Sequence, residues 1–144
     1  MENDGSDSIR SLFQKIQTMS VSEKLDLARK ASKEARSILI RDSNKLVQLA
    51  VVNSPKITES EILAIATNRQ VNDEVLKEIA MNREWLRNYQ IRFALVNNPK
   101  TPLSIAMSQV SYLNQRDLGL LAKSKGVPRA IVIAAQGRLK EVKR

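Results

Sequence analysis

The sequence contains neither cysteine nor histidine among its 144 residues. The absence of cysteine excludes disulfides, thiol chemistry and thiolate metal sites, and it fits a reducing compartment. The absence of histidine excludes His-based acid–base catalysis and the commonest metal ligand. Carboxylates alone can bind Ca²⁺ or Mg²⁺, but the sequence has no Asp- and Asn-rich loop of the EF-hand kind. We therefore expect no metal and no cofactor.

Glycine, proline and aromatic residues are scarce: the chain has four glycines, four prolines and 3% aromatic residues, against 42% hydrophobic residues. This composition favours helices packed through Leu, Ile, Val and Ala. No apolar run approaches the roughly 20 residues that span a bilayer. The acidic, polar start is unlike a secretory signal. We expect a cytoplasmic, all-α protein with a flexible segment at 1–8, a single helical repeat domain at 9–140 and a basic tail at 141–144.

Capping signals divide the chain into about nine short helices. Ser20-Val21-Ser22-Glu23 has the capping-box pattern, in which the Ser and Glu side chains bond reciprocally to backbone amides, and Thr58 with Glu61 repeats it. Cap-type asparagines begin further helices at Asn44, Asn72 and Asn114. Pro102 and Pro128 are predicted at first helical positions, and Gly126 just beyond a helix end.

Asparagine recurs at almost constant spacing. Asn53, Asn68, Asn82 and Asn97 are separated by 15, 14 and 15 residues, and each follows an alanine two or three places earlier. We predict that each Asn ends a helix in the left-handed conformation, which Asn tolerates well. Helix termination explains these residues without a ladder of ligand-binding amides. A ten-residue helix is marginal alone, so each must bury its apolar side against neighbours, as in repeat proteins.

The segment Ile91-Arg92-Phe93-Ala94-Leu95-Val96-Asn97-Asn98-Pro99-Lys100-Thr101-Pro102-Leu103 resembles the unit of leucine-rich-repeat-variant and HEAT-like bacterial α-solenoids. The resemblance covers roughly residues 44–135. It implies a right-handed α-solenoid of short helices used mainly as a binding surface. The chain lacks the cysteine cluster that holds iron–sulfur in some leucine-rich-repeat-variant proteins.

Positive charge is concentrated in the last 60 residues. Residues 1–84 hold thirteen basic and thirteen acidic side chains, whereas residues 85–144 hold eleven basic side chains and two acidic ones, which gives the net charge of +9. The candidate partner-binding or anion-binding residues are Arg87, Arg92, Lys123, Lys125 and Arg129. The competing interpretation is that these cations complement helix dipoles and form a solvated face.

Two aromatic residues lie near this charge. Trp85 and Tyr89 are four residues apart, so we predict that they share one face of a helix that also carries Arg87 and Arg92. If half-exposed, the pair would be an aromatic contact for a partner. Alternatively, at least Trp85 is part of the core.

The sequence predicts binding rather than catalysis. Candidate catalytic carboxylates are few, and Glu59, Glu61 and Asp73-Glu74 are predicted in first turns, where acids favour the helix dipole. Nothing pairs them, or Glu78, with a nucleophile. The leading hypothesis is a non-catalytic protein-interaction module, a scaffold or adaptor that docks a partner with an acidic surface through its basic C-terminal half. The alternative is a nonspecific nucleic-acid-binding protein of the HEAT-like type that contacts phosphates. A HEAT-like DNA glycosylase would need a carboxylate in the basic half, where only Asp117 and Glu141 occur.

Overall fold

The computed structural model describes residues 5–142, and this part of the chain is all-α, with eleven helices and no strand, as the composition predicts. Eleven helices are more than the nine expected from the sequence. In chain order they are α1 (Gly5–Gln17), α2 (Val21–Lys30), α3 (Lys33–Leu39), α4 (Lys45–Val52), α5 (Glu59–Thr67), α6 (Asp73–Ala80), α7 (Arg83–Leu86), α8 (Tyr89–Asn97), α9 (Leu103–Val110), α10 (Gln115–Ala122) and α11 (Arg129–Val142).

The ends of the chain lie partly outside the described residues. Residues 5–8 of the predicted flexible segment already belong to α1, and residues 141 and 142 of the predicted basic tail belong to α11. Residues 1–4, 143 and 144 lie outside the described residues.

Most predicted helix starts are confirmed. Ser20 and Glu23 form the reciprocal capping box: the Glu23 amide donates to Ser20 Oγ over 3.2 Å, and the Ser20 amide donates to Glu23 Oε1 over 3.1 Å. The side chains of Asn44, Asn72 and Asn114 accept from amides in the first turns of α4, α6 and α10. These bonds satisfy amides that have no partner inside the helix.

The prediction that asparagines end the helices in the left-handed conformation is wrong. No residue that the structure describes has a positive φ, and Asn53 lies at φ −89° and ψ 6°. The backbone after α4 closes instead through short bonds, from the Asn53 amide to Leu49 O over 3.0 Å and from the Ser54 amide to Val51 O over 3.1 Å. These bonds satisfy two of the last four carbonyls of α4, and the helix ends without a left-handed residue.

The predicted roles of Gly126 and the two prolines also need correction. The helix before Gly126 ends at Ala122 with Lys123 as its cap, so Gly126 lies in a loop rather than just beyond the helix. Pro102 and Pro128 precede α9 and α11 by one residue, and their carbonyls accept the first bonds of these helices, from the amides of Ile105 and Ile131. Each proline therefore occupies the cap position.

The predicted helix that carries both aromatic residues is broken. α7 contains Trp85 and ends at Leu86, and α8 begins at Tyr89. The break is caused by Asn88, whose side chain accepts from the amides of Gln90 and Ile91 and so begins a new helix. Arg87 is the C-cap of α7 and does not share a helix with Arg92.

The helices pack in two compact units, of which the first ends at Thr58 and the second begins at Glu59. In unit 1, α3 contacts α1, α2 and α4, and α2 also contacts α4. Its buried apolar side chains include Ile16, Ala28, Ala35, Leu39, Val47 and Val51. An ion pair between Lys24 and Asp42, both largely buried, joins the start of α2 to the loop before α4.

In unit 2, α8 contacts α5, α6, α7 and α9, while α11 contacts α9 and α10. The last four helices share one hydrophobic cluster. Its buried members are Val96, Ala106, Val110, Leu113, Leu118, Leu121, Val127, Ile131, Val132 and Ala135. This cluster fixes the loops on either side of α9 and between α10 and α11.

Candidate functional site

Two loops of unit 2 are held together by one buried side chain. Asn98, which follows α8 and is 4% exposed, donates from Nδ2 to Ala66 O over 2.8 Å and to Asn68 O over 3.0 Å. Its Oδ1 accepts from the Lys100 amide over 2.9 Å. The loop between α8 and α9 therefore lies against the end of α5 and the loop that follows it.

A third loop lies at the same end of unit 2. Arg69, in the loop after α5, places its guanidinium against Gly126, in the loop between α10 and α11. A methyl group on Gly126 would lie 3.3 Å from Arg69 Nη2. Gly126 has an ordinary backbone conformation, so its bare surface, rather than a left-handed φ, allows this approach.

These three loops, together with the first residue of α11, carry five exposed cations, which we call the basic loop surface. Its members are Arg69, Lys100, Lys123, Lys125 and Arg129. None of the five forms an ion pair with another residue in the part of the chain that the structure describes. The surface therefore presents positive charge that no described side chain neutralises.

The structure divides the five basic residues singled out from the sequence. Lys123, Lys125 and Arg129 belong to the basic loop surface, whereas Arg87 and Arg92 do not. Arg87 is exposed and lies 3.6 Å from Glu84. Arg92 lies over the ring of Tyr112, which follows the C-terminal end of α9, whereas Lys100 precedes the N-terminal end of the same helix. The eight residues of α9 span about 12 Å, so Arg92 is separated from the basic loop surface by the length of this helix.

Arg92 supports the turn between α9 and α10. Its guanidinium carbon is 4.3 Å from the centre of the Tyr112 ring, a cation–π contact of about 0.5–1 kcal/mol at an exposed site. Nearby, Arg138 donates to the carbonyl of Ser111 over 3.4 Å and pairs with Glu141 over 3.1 Å. These contacts give both arginines a structural role.

Tyr89 is a structural residue rather than an exposed aromatic contact. Its hydroxyl donates to Asp117 Oδ2 over 2.6 Å and accepts from the Asn114 amide over 3.0 Å, which ties α8 to the start of α10. Burial raises the pKa of the Tyr89 hydroxyl, and the hydrogen bond to Asp117 raises it further. Trp85 is half-buried and lies on the separate helix α7.

The two acidic residues among the last 60 residues both bind another side chain. Asp117 accepts from Tyr89, and Glu141 pairs with Arg138. Within residues 5–142 no group of three or more Asp and Glu side chains is arranged to hold a metal ion. No helix in that range combines the length and apolarity needed to cross a membrane.

Described residues of unit 1 line open clefts, of which one has a volume of about 500 Å³ and another of about 350 Å³. The smaller is lined by Phe13, Ile38, Arg41 and the Lys24–Asp42 ion pair. The Lys24 ammonium and the Asn44 amide hold the pKa of Asp42 below its usual range, against the opposing effect of burial. Asp42 is therefore committed to the fold, and the cavity offers no free acid or base from this pair.

Arg69 and Lys100 were not among the residues singled out from the sequence. The sequence contained a signal for them. Arg69 follows Asn68, and Lys100 comes shortly after Asn97 and Asn98, so the two cations occupy corresponding loops of two different repeats. The repeat phase thus places them at corresponding helix ends, although only the structure shows that the loops adjoin.

Comparison of the chain with protein-family models, curated proteins and solved structures finds no match.

Proposed function

We propose that this protein is a non-catalytic protein-interaction module that docks an acidic partner through the basic loop surface of unit 2. The observation that carries the proposal is the gathering of five exposed cations, without acidic partners among the described residues, on three adjoining loops and at the start of α11. Cations that are paired within a protein lose most of their outward field, whereas unpaired ones attract and orient an oppositely charged partner.

Electrostatic attraction by the basic loop surface acts at short range. At physiological ionic strength the screening length is about 8 Å, so only cations close to the docked partner contribute strongly. The contacts that join the three loops support a role for the cations these loops carry. The cations remote from them, Arg87 and Arg92, are assigned no part in docking.

A HEAT-like solenoid is our proposal for the architecture of unit 2. It is supported by the packing of α5 on α8 and of α9 on α11, since helices separated by one or two others in the chain lie side by side in stacked repeats. In such an array the loops between successive helix pairs adjoin at one end. The contacts of Asn98 and Arg69 follow this pattern.

The non-catalytic part of the proposal is supported by the hydrogen bond of Asp117 and the ion pair of Glu141, which leave the basic half without an uncommitted carboxylate in the described residues. A cytoplasmic location is also proposed, on the basis of the cysteine-free composition.

A nucleic acid is the second candidate partner, because the same cations suit phosphate groups. The feature that favours a protein is the presence of exposed apolar side chains beside the cations: Leu120 lies one turn before Lys123, and Ile133 lies one turn after Arg129. Contacts with a phosphate backbone do not use apolar side chains.

Binding of fluorescently labelled polyglutamate and of a generic DNA duplex, each at about 50 and 200 mM salt, tests the proposal. The site variant reverses three charges, Lys123→Glu, Lys125→Glu and Arg129→Glu. The control variant makes the same net change on exposed cations elsewhere, Arg10→Glu, Lys33→Glu and Lys77→Glu. Glutamate at position 129 suits a helix N-terminus, so the site variant is expected to fold.

We expect polyglutamate to bind the wild type and the control, and to bind the site variant at least tenfold more weakly. Absence of polyglutamate binding at low salt refutes the proposal. Equal losses in the two variants contradict the assignment of the surface, and binding of the duplex alone assigns the surface to nucleic acid.

A further inference from the structure

Two side chains with hydrogen-bond donors meet beside Gly126. Because Gly126 has no side chain, the position that a Cβ would take identifies the groups that lie against its bare backbone. Arg69 Nη2 and Nη1 lie 3.3 and 3.7 Å from this position, and Ser124 Oγ lies 3.8 Å from it. The guanidinium of Arg69 and the hydroxyl of Ser124 are therefore neighbours at the junction of two loops. We call this junction the Arg69–Ser124 recess.

Both side chains have donors that no described residue uses. The guanidinium of Arg69 forms neither an ion pair nor a hydrogen bond within the part of the chain that the structure describes. Ser124 Oγ accepts from the Gly126 amide over 3.1 Å. The hydroxyl hydrogen of Ser124 has no acceptor among residues 5–142, so it is available to a ligand.

The two loops that form the recess add positive charge and no negative charge. Lys123 and Lys125 flank Ser124 in the chain. Neither the loop that contains Arg69, residues 68–72, nor the loop at 123–128 contains an acidic residue. An anion that enters the recess therefore meets cations and hydrogen-bond donors, and no carboxylate of these loops repels it.

We infer that the Arg69–Ser124 recess binds the phosphoryl group of a phosphorylated serine or threonine on the partner. The inference rests on the proposed function, and it adds the chemistry of the residue that is recognised. Two phosphoryl oxygens accept from the planar fork of the Arg69 guanidinium, and the third accepts from the Ser124 hydroxyl. The lysines on either side of Ser124 contribute further attraction to the doubly charged group.

The number of donors favours a phosphomonoester over other anions. A phosphomonoester carries nearly two negative charges at neutral pH and three acceptor oxygens. A carboxylate has one charge and two oxygens, as does the phosphate group of a nucleic-acid backbone apart from its ester oxygens. Either of these satisfies the fork of Arg69 but leaves the Ser124 hydroxyl without a partner. One further hydrogen bond to a charged group corresponds to about tenfold tighter binding.

Two labelled peptides of equal length and net charge test the inference. One contains only glutamates, and in the other two central glutamates are replaced by phosphoserine and glycine, which keeps the charge equal at about pH 8. Each is titrated with the full-length wild type, Arg69→Lys and Ser124→Ala. Arg69→Lys keeps the positive charge but removes the guanidinium fork. Its matched control is Arg10→Lys, the same change at an exposed arginine of unit 1, and Ser124→Thr is the control that keeps the hydroxyl.

We expect the wild type, Arg10→Lys and Ser124→Thr to bind the phosphoserine peptide about tenfold more tightly than the glutamate peptide. In Arg69→Lys and in Ser124→Ala most of this preference should be lost. Equal affinity of the wild type for the two peptides overturns the inference and leaves the proposed function standing. If neither peptide binds, both fail.

Three further results would overturn the inference. A full preference in either Arg69→Lys or Ser124→Ala places the phosphoryl group elsewhere. A loss in Ser124→Thr as large as in Ser124→Ala shows that the hydroxyl is not the donor. Inorganic phosphate that displaces the labelled phosphoserine peptide as effectively as the unlabelled peptide does assigns the recess to a free anion.

Discussion

Replacement of Asn98 by alanine is expected to destabilise unit 2 strongly. The change removes two bonds from Nδ2, to the carbonyls of Ala66 and Asn68, and one bond to Oδ1 from the Lys100 amide. The side chain is 4% exposed, so water cannot readily replace these bonds. The Ala66 carbonyl, at a buried residue, loses its side-chain donor.

The magnitude follows from the number and burial of these bonds. Each hydrogen bond contributes about 1 kcal/mol net, and an unsatisfied buried group costs about 1–3 kcal/mol, so the free energy of unfolding should fall by about 3 kcal/mol. Asn98→Asp should be at least as harmful, since a carboxylate cannot donate to two carbonyls and is repelled by them. Asn97→Ala is the matched control, because the adjacent Asn97 is only partly buried and makes no side-chain hydrogen bond within the described residues.

Urea unfolding followed by tryptophan fluorescence measures the effect. Trp85 is the only tryptophan in the sequence and lies in unit 2, so its emission reports on the unit that contains Asn98. With a slope of about 2 kcal/mol per molar urea, Asn98→Ala should lower the midpoint by about 1.5 M, and Asn97→Ala should change it by less than about 0.3 M. Equal midpoints for the two variants would refute the view that Asn98 holds the loops together.

Three further predictions concern other contacts of the fold. Tyr89→Phe removes the bonds to Asp117 and from Asn114, so the free energy of unfolding should fall by about 1–3 kcal/mol; an unchanged urea midpoint would contradict the role of Tyr89. The folded state raises the pKa of the Tyr89 hydroxyl, so the contribution of this hydroxyl to the free energy of unfolding is complete below pH 10 and is lost as the pH rises above 10. An ultraviolet titration should show one tyrosine that ionises late in the wild type and that is absent from Tyr89→Phe. Because the folded state lowers the pKa of Asp42, the Lys24–Asp42 pair stabilises unit 1 above about pH 3.8 and loses this effect as the pH falls through the lowered pKa. Asp42→Asn should flatten this acid dependence in circular dichroism, and it should lower the free energy of unfolding at neutral pH by about 2 kcal/mol, the contribution of a charge-assisted hydrogen bond. An acid profile identical to that of the wild type would contradict the role of the ion pair. Gly119→Ala should raise the free energy of unfolding by about 1 kcal/mol, and with it the thermal midpoint, because Gly119 lies inside α10 with open space around it. A lower midpoint would contradict this reasoning.

Local signals predicted the helices well. The capping box of Ser20 and Glu23 and the caps at Asn44, Asn72 and Asn114 depend on residues within one turn, so the sequence determines them directly. The break at Asn88 was missed because the apolar spacing continues across it. Asn88 is a cap-type residue, and this was the available signal for two helices instead of one.

The candidate site was only partly predictable, because it depends on contacts between distant residues. Lys123, Lys125 and Arg129 are close in sequence and are brought together by a single loop. Arg69 reaches the same place only because its guanidinium lies against Gly126, and Lys100 only because Asn98 reaches back to the end of α5. Conversely, the four-residue spacing of Trp85 and Tyr89 does not place them on one helix face, because the helix is broken between them.

The absence of positive φ angles in the described residues has a consequence for how the protein can diverge or be redesigned. Where a turn needs a left-handed residue, its sequence is confined largely to glycine and asparagine, and surface chemistry is limited accordingly. Turns built from right-handed and extended conformations accept nearly any amino acid. The loops of this protein can therefore exchange one set of charges for another while the helices keep their positions, so partner choice can change without a change of fold.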